Sequence, residues 1–437
     1  MAESEIRQWI ESLQEYGINP GLERTAQALK LINNPQNDFE SVLVSGTNGK
    51  GSTCAYLSHM LSANGCKTGF YSSPHLLDIT ERFRINQKPV SNLIFEKTAG
   101  ELRTIFQENQ IILTHFEFLT VLALRLFSRQ KIQWAVLEIG MGGRQDAVNV
   151  VNSQAAAITN IALDHQKWLG NTRREIAIEK AGIIKKQKPF LTSESDPALV
   201  KMFSELAEGE LAPIFIENRD YCVTPKKIEL QNTEFDFKGF GLNLAGLKTG
   251  LTGQHQVHNA GLALAVLAVL HEKNNVRLNE EKTRKAVEKT AWPGRFQIIS
   301  EKPLVIVDCC HNPAGVNQLA ETLKTVFPGT KFRVLMGIGL DRNPGQMVEP
   351  IGPLASEMIF SQASFHGFSA VELQKASQPF IPTFKTKTVA TLKDAAALVL
   401  ENPKPNEPIL VCGSIYLAGE AMQTPAFKKI IKGSKQK

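Results

Sequence analysis

An α/β architecture is predicted: a mostly parallel sheet flanked by helices with a small peripheral β-sheet, then a second, smaller α/β domain. Three observations carry this. Short apolar runs with β character alternate with helical patterns, which implies parallel strands joined by helical crossovers. A glycine-rich turn, Gly46-Thr47-Asn48-Gly49-Lys50-Gly51-Ser52, stands between the apolar run Val42-Leu43-Val44 and a helix-like stretch. The 437 residues, 43% hydrophobic, also exceed what one core usually organises, so two domains are expected.

In order, residues 42–44, 68–71, 134–139, 155–159 and 189–191 read as strands, and 93–106, 116–127 and 172–181 as helices. This is a P-loop-type arrangement. From 222 to 247 the chain turns polar and β-like, as in a peripheral sheet, before a helix over 253–271. The first domain closes near Trp292-Pro293-Gly294, giving expected domains of 1–294 and 295–437. In the second, strands at 304–307, 334–336, 357–360 and 409–411 alternate with helices at 315–326 and 392–400, a Rossmann-like pattern. The lysine-rich tail, 428–437, is expected to fray.

Composition narrows the function. Lys and Arg outnumber Asp and Glu by six, yet the charges are interspersed and no basic stretch is interleaved with aromatics, which favours anionic small molecules over nucleic acid. The opening Met1-Ala2-Glu3-Ser4-Glu5 is acidic and lacks an apolar export segment, so a cytoplasmic location is expected. The longest apolar run, 260–270, falls short of the roughly 20 residues a membrane helix needs and reads as a buried core helix. Six cysteines include no C-x-x-C pair, so reduced thiols are expected; the adjacent Cys309 and Cys310 read as small buried residues at a strand end.

The Gly46–Ser52 segment is the strongest chemical signal. A strand, a glycine turn and a helix N-terminus converge backbone N–H groups on one point, and Lys50 adds full charge, which suits the triphosphate of a nucleotide. Ser52 stands one place later than in the common phosphate-loop pattern. Glu138 ends an apolar strand and is followed by Gly140, Gly142, Gly143, Arg144 and Asp146; a carboxylate beyond a strand end is placed to hold Mg²⁺ beside phosphates, with a buried structural glutamate as the alternative. Asp164-His165 repeats the design after the run 155–159, although a single histidine is more often a hydrogen-bonded loop residue than a ligand. Lys180 reads by composition as a favourable charge at a helix C-terminus. Arg295 and Asp308 could meet phosphate and ribose oxygens, or form an inter-domain ion pair and a cap before Pro313.

In this order the segments resemble the folylpolyglutamate synthase/dihydrofolate synthase family of the Mur-type ATP-dependent amide ligases. The likeness extends from Gly21-Leu22-Glu23-Arg24 through Gly46–Ser52, Ser72-Ser73-Pro74-His75-Leu76, Thr114-His115-Phe116-Glu117, 138–149, 164–170, 179–183, 253–259, 293–295 and 308–313 to 413–420. By that resemblance Thr47, Asn48, Gly49, Lys50, Gly51 and Ser52 hold ATP with Asn259, Arg295 and Asp308, and His311 sits beside them. Ser73, Glu138 and His165 would ligate Mg²⁺, and Lys180, as a carbamate, a second Mg²⁺. Thr114, His115, Phe116 and Glu117, with Gly21–Arg24, match pterin-binding surfaces under a mobile loop, 72–84; Arg144 and Asp146 match residues of members that use dihydropteroate.

The resemblance implies a monomer taking dihydropteroate or reduced folate, L-glutamate and ATP, with Lys50, Lys180 and His311 as catalytic groups and an acyl phosphate on the path. Three departures stand out: Asp-Gly-Ala-His-Asn-Pro becomes Asp308-Cys309-Cys310-His311-Asn312-Pro313, Asp-Ala-Thr-Asn becomes Asp146-Ala147-Val148-Asn149, and Asp-Lys-Asp becomes Asp341-Arg342-Asn343. Competing expectations are polyglutamylation alone, a Mur-type ligase for a cell-wall peptide precursor, and a non-catalytic nucleotide switch; the last lacks an Asn-Lys-x-Asp segment.

Overall fold

The computed structural model describes residues 4–273, 275–382, 385–404 and 407–434. The first three residues of the acidic opening and the last three of the lysine tail lie outside this set. The chain divides into two compact units. Unit 1 comprises Met1–Lys226, Glu234–Thr249 and Gln256–Thr290; unit 2 comprises Lys227–Thr233, Gly250–His255 and Ala291–Lys437. The two short segments of unit 2 are tied together by Thr252 Oγ1 donating to Leu230 O at 2.8 Å and Gly253 N to Thr233 Oγ1 at 3.1 Å.

Unit 1 holds β1 (Glu40–Ser45), β2 (Thr68–Tyr71), β3 (Phe83–Ile85), β4 (Lys88–Pro89), β5 (Trp134–Glu138), β6 (Ala155–Ile158), β7 (Phe190–Thr192) and β8 (Ile214–Ile216), ordered β4-β3-β2-β5-β1-β6-β7-β8. From β2 to β8 every pairing is parallel; β3 and β4 add an antiparallel edge. Strands β1 and β5 are buried on both faces, which is why they read as continuous apolar runs rather than as alternating ones. Mid-sheet, β1 lies between β5 and β6, with Val44 level with Glu138 and Ser45 with Ile158, so the ends of the three strands open side by side.

Helix Gln254–Glu272 is buried without interruption from Asn259 to Leu270, as its unbroken apolar composition requires. The peripheral sheet is β9 (Tyr221–Ile228), β10 (Thr233–Gly239) and β11 (Leu242–Thr249), ordered β11-β10-β9.

Segment 72–84, expected as a loop, is structured over its second half. Asp78 and Glu81 form a reciprocal capping box around a helical turn, Ile79–Arg82; Glu81 also accepts the Leu76 and Leu77 N–H groups, and the buried Phe83 opens β3 against Tyr71.

Unit 2 carries β12 (Gln297–Glu301), β13 (Leu304–Val307), β14 (Phe332–Met336), β15 (Ala355–Phe360), β16 (Thr386–Thr388) and β17 (Ile409–Cys412), ordered β12-β13-β17-β14-β15-β16 with only β12 antiparallel. Helix Pro313–Val326 starts on an Asn312 cap, its side chain accepting from Gly315 N at 2.8 Å. Of the tail expected to fray, 428–434 continue the helix Pro425–Ser434, which carries the buried Phe427 in its first turn.

Candidate active site

The turn after β1 is held open by backbone geometry. Gly46 and Gly49 have φ of +139° and +87°, and a Cβ on either would collide with Thr159 Oγ1 or Asn259 Oδ1 respectively. The β6 end clamps the turn: Thr47 N donates to Asn160 O at 2.7 Å, Asn48 N to Asn160 Oδ1 at 3.1 Å, and Thr159 Oγ1 and Asn160 Nδ2 both donate to Asn48 O. Helix Lys50–Ala63 begins at Gly49 without a side-chain cap, so its first N–H groups face outward as an anion site, and the buried hydroxyls of Ser52 and Thr53 have no hydrogen-bond partner. Gly51 packs without side chain in the same turn, and Asn259, buried on helix Gln254–Glu272, donates to Gln256 Oε1.

Two lysines meet on one carbonyl. Lys50 Nζ donates to Gly46 O and Thr47 O at 3.0 Å each, and Lys180 Nζ reaches the same Gly46 O at 2.9 Å from the end of helix Arg173–Ala181. Lys180 is only 3% exposed. Burial above all, then the nearby Lys50 charge, pushes its ammonium down to about 7, against the pull of Asp164 and Asp146. Lys180 is thus a buried, readily neutral amine, a property that composition did not reveal.

Glu138 is buried at the end of β5 and accepts the Ser73 N–H at 3.3 Å, which brings segment 72–76 to the same strand end. Cys54, on the first turns of helix Lys50–Ala63, feels both the Glu138 carboxylate and the Lys50 charge, which places those two groups near it. The buried Asp164 carboxylate acts on Lys180 and accepts from His165 N at 2.8 Å. His165 itself, at φ +49°, is half-exposed with its ring 3.8 Å from Asp164. Asp164 is the residue that sequence reasoning undervalued; its place one before His165, after an apolar run, was the available signal.

Lys50, Ser52, Ser73, Glu138, Lys180, Asp164 and His165 therefore gather around the ends of β1, β5 and β6. Among the described residues no three His, Cys, Asp or Glu side chains form a ready-made metal cage. Donors here are instead an orphaned hydroxyl at Ser52 and the Glu138 carboxylate, which fit a hard cation that keeps phosphate oxygens and water in its shell.

A second cluster joins three segments. Glu117 forms a capping box with Thr114 and an ion pair with Arg24 at 2.7 Å, and Gly21 N donates to Gln145 O at 3.2 Å. The buried Asp146 accepts from Met141 N and Val148 N, and burial raises its carboxyl to about 6. The Phe116 ring packs over Gly140, where any Cβ would strike it, and Arg144, four positions further on, is exposed.

Sequence reasoning missed two neighbours. Arg82 Nε donates to His75 Nδ1 at 3.0 Å, and burial together with this guanidinium holds His75 neutral, down to about 3. The same causes take His115 to about 4, and its buried Nε2 has no hydrogen-bond partner. An Arg seven places after a His in a loop carries no periodic signal, so only the folded chain reveals the pair.

On unit 2, Asp308 follows β13 and its carboxylate accepts from Phe296 N and Cys310 N at 2.8 Å each, pinning the turn that carries Arg295. His311 Nδ1 lies 3.3 Å from Cys309 O. Asn343 caps helix Pro344–Val348, and Arg342 pairs with Asp341 at 3.3 Å.

Residues 44–267 match the Mur ligase middle domain and residues 294–415 the Mur ligase, glutamate ligase domain. The chain is 32% identical to the dihydrofolate synthase/folylpolyglutamate synthase of Bacillus subtilis (strain 168) over 96% of this chain and 98% of that one. The corresponding Escherichia coli (strain K12) protein is 30% identical, over 97% and 96%. Among solved structures, Thermotoga maritima folylpolyglutamate synthase superposes with a TM-score of 0.85 at 28% identity, covering 98% of this chain and 99% of that one. E. coli FolC in complex with DHPP and ADP gives 0.84 at 29%, covering 96% and 97%.

Proposed function

Because the chain belongs to the Mur ligase family, in its dihydrofolate synthase/folylpolyglutamate synthase branch, we propose that it joins L-glutamate to dihydropteroate and to the γ-carboxylate of folate glutamates, using ATP. ATP-dependent ligation of glutamate to folates is the activity common to its relatives, and the ADP held by FolC supports the nucleotide. The observation that carries the reading is the meeting of Lys50 and Lys180 on Gly46 O, beside the buried Glu138.

The reaction begins when a carboxylate oxygen of the pterin substrate attacks the γ-phosphorus of ATP, expelling ADP and leaving an acyl phosphate. Phosphoryl transfer asks the protein chiefly for position and charge. The outward N–H groups of Gly49, Lys50 and Gly51 and the Lys50 ammonium supply both to the phosphates. The glutamate amine then adds to the acyl carbon and phosphate leaves; that amine must be neutral, and His311, carried by unit 2, is assigned to its proton. Arg295, Asp308 and Asn259 are assigned to the nucleotide. The capped turns of Thr114–Glu117, with His115 and Phe116, and of Arg144–Asp146 are assigned to the pterin end.

Magnesium, held by Ser73, Glu138 and His165 with the Lys180 carbamate at a second position, would neutralise charge on the transferring phosphoryl group. The support for the carbamate is the amine itself: held near 7, Lys180 offers roughly a thousandfold more neutral amine at pH 7 than a free lysine, and only the neutral amine adds CO₂.

The test is an assay with ATP, Mg²⁺ and labelled glutamate, offered dihydropteroate or tetrahydrofolate, with products resolved by length. Both acceptors are expected to gain glutamate; a chain that extends tetrahydrofolate alone is a polyglutamylating enzyme only. Lys50→Ala is expected to slow acyl phosphate formation by about 10²–10³-fold, and normal speed in that variant refutes the assignment.

A further inference from the structure

Where the family pattern has a glycine and an alanine after the strand-end aspartate, this chain has Cys309 and Cys310, and a third cysteine, Cys412, ends a neighbouring strand. All three are buried, and none is in a disulfide. Strands β13 and β17 run parallel with Val307 level with Val411, and Asp308 N extends the ladder to Val411 O at 2.9 Å. There the chain turns back: Cys309 N donates to Gly294 O and Cys310 N to Asp308 Oδ1, both at 2.8 Å. The turn brings Cys310 over the end of β17, into the same buried core cluster as Cys412, and Cys412 and the Gly413 N–H are the neighbours that act on its thiol. Beneath it Gly413, at φ +100°, has no room for a Cβ against Gly337 O. The β17 side of the contact is therefore fixed.

We propose that Cys310 and Cys412 are a thiol–disulfide modification site, oxidised by a peroxide to a bond that locks the turn carrying Asp308 and His311. The Cys310 sulfur, the less buried of the two, attacks a peroxide oxygen; the O–O bond breaks, one water leaves and Cys310 becomes a sulfenic acid. The Cys412 sulfur then attacks that sulfur and expels a second water. Two thiols lose two electrons, hydrogen peroxide gains them, and both thiol protons leave in the waters. Contact with Cys412, burial and the Asp308 carboxylate push the Cys310 thiol well up, so the pair reacts slowly, as a threshold device and not as a catalytic dithiol.

The chemical half of this proposal is independent of the function assigned above; the effect on ligation rests on it. The full chain is treated with hydrogen peroxide, alkylated and mapped by mass spectrometry while glutamate ligation is followed in parallel. Expected are the loss of two of the six thiols, a 310–412 linked peptide reversed by dithiothreitol, and a reversible fall in ligation. The fall should approach a hundredfold, about what ångström-scale misplacement of a positioned group does to a rate. Cys310→Ala, which restores the family residue, and Cys412→Ser should each keep ligation and lose the linked peptide; the thiol count alone decides for a variant that folds poorly. A 309–310 link, or over-oxidised Cys310 without a link, overturns the proposal. A 310–412 disulfide that leaves ligation untouched overturns the locking effect, while absent ligation before any oxidation counts against the proposed function and not against the thiol pair.

Discussion

Lys180→Met should make unit 1 more stable while abolishing ligation. In the folded chain the Lys180 ammonium is down to about 7 from an ordinary 10.5, chiefly because it is buried. At about 1.4 kcal/mol per pH unit, that difference destabilises the folded state by about 5 kcal/mol once the pH is below 7. The unfolded chain binds its proton more tightly, so between pH 7 and 10.5 it carries more protons and stability rises with pH.

Methionine fills a similar volume without a charge and forfeits only the hydrogen bond to Gly46 O, worth about 1–2 kcal/mol. The variant is thus expected to exceed wild type by roughly 3 kcal/mol at pH 7 in CO₂-free buffer, a gap that narrows by about 2 kcal/mol by pH 9. Urea unfolding read by tryptophan fluorescence measures this, since Trp9, Trp134 and Trp168 all belong to unit 1. A gap that does not change with pH, or a wild type more stable than the variant at pH 7, refutes the claim that Lys180 is held as a near-neutral amine. Bicarbonate should close part of the gap for wild type alone.

Gly49→Ala forces a Cβ onto Asn259 Oδ1 at φ +87° and should weaken ADP binding at least tenfold by calorimetry, with strain of about 1–3 kcal/mol. Glu117→Ala removes a capping box and the buried partner of Arg24, and a loss of about 3 kcal/mol in unfolding free energy, read as a lower urea midpoint, is expected; an unchanged midpoint would make Glu117 a ligand-facing group and no more. The Glu217 carboxylate raises the His258 imidazolium above its ordinary 6.5, so this pair stabilises the fold fully below 6.5 and loses that contribution as pH rises through the folded value. The stability difference between wild type and His258→Gln should therefore shrink from pH 6 to pH 8, and parallel profiles would exclude the pair as a stabilising contact.

The phosphate turn was legible because its signature is local: an apolar strand, glycines at positions of positive φ, and a helix that starts on the next residue; the Thr159 and Asn160 clamp on it, from over 110 positions away, left no such signal. Strands β1 and β5 were legible for a related reason. Burial on both faces leaves continuous apolar runs, which composition alone reports. The ordered half of segment 72–84 was hidden because its stability comes from one side chain, Glu81, accepting three backbone N–H groups, a pattern with no apolar period.

Lys180 marks where local reading fails in principle. A lysine in the last turn of a helix is favourable there whatever it faces, so sequence yields the same reading for an exposed charge and a buried amine. What separates them is the approach of Gly46 O, from 134 positions away, and the charges of Lys50, Asp164 and Asp146 that surround it. Thr114 and Glu117 fail in the opposite sense: their spacing is itself a helix-capping signature, so a motif assigned to a substrate also does structural work. Mutating such residues changes stability and binding together, and the two effects separate only when unfolding and ligand affinity are measured on the same variant.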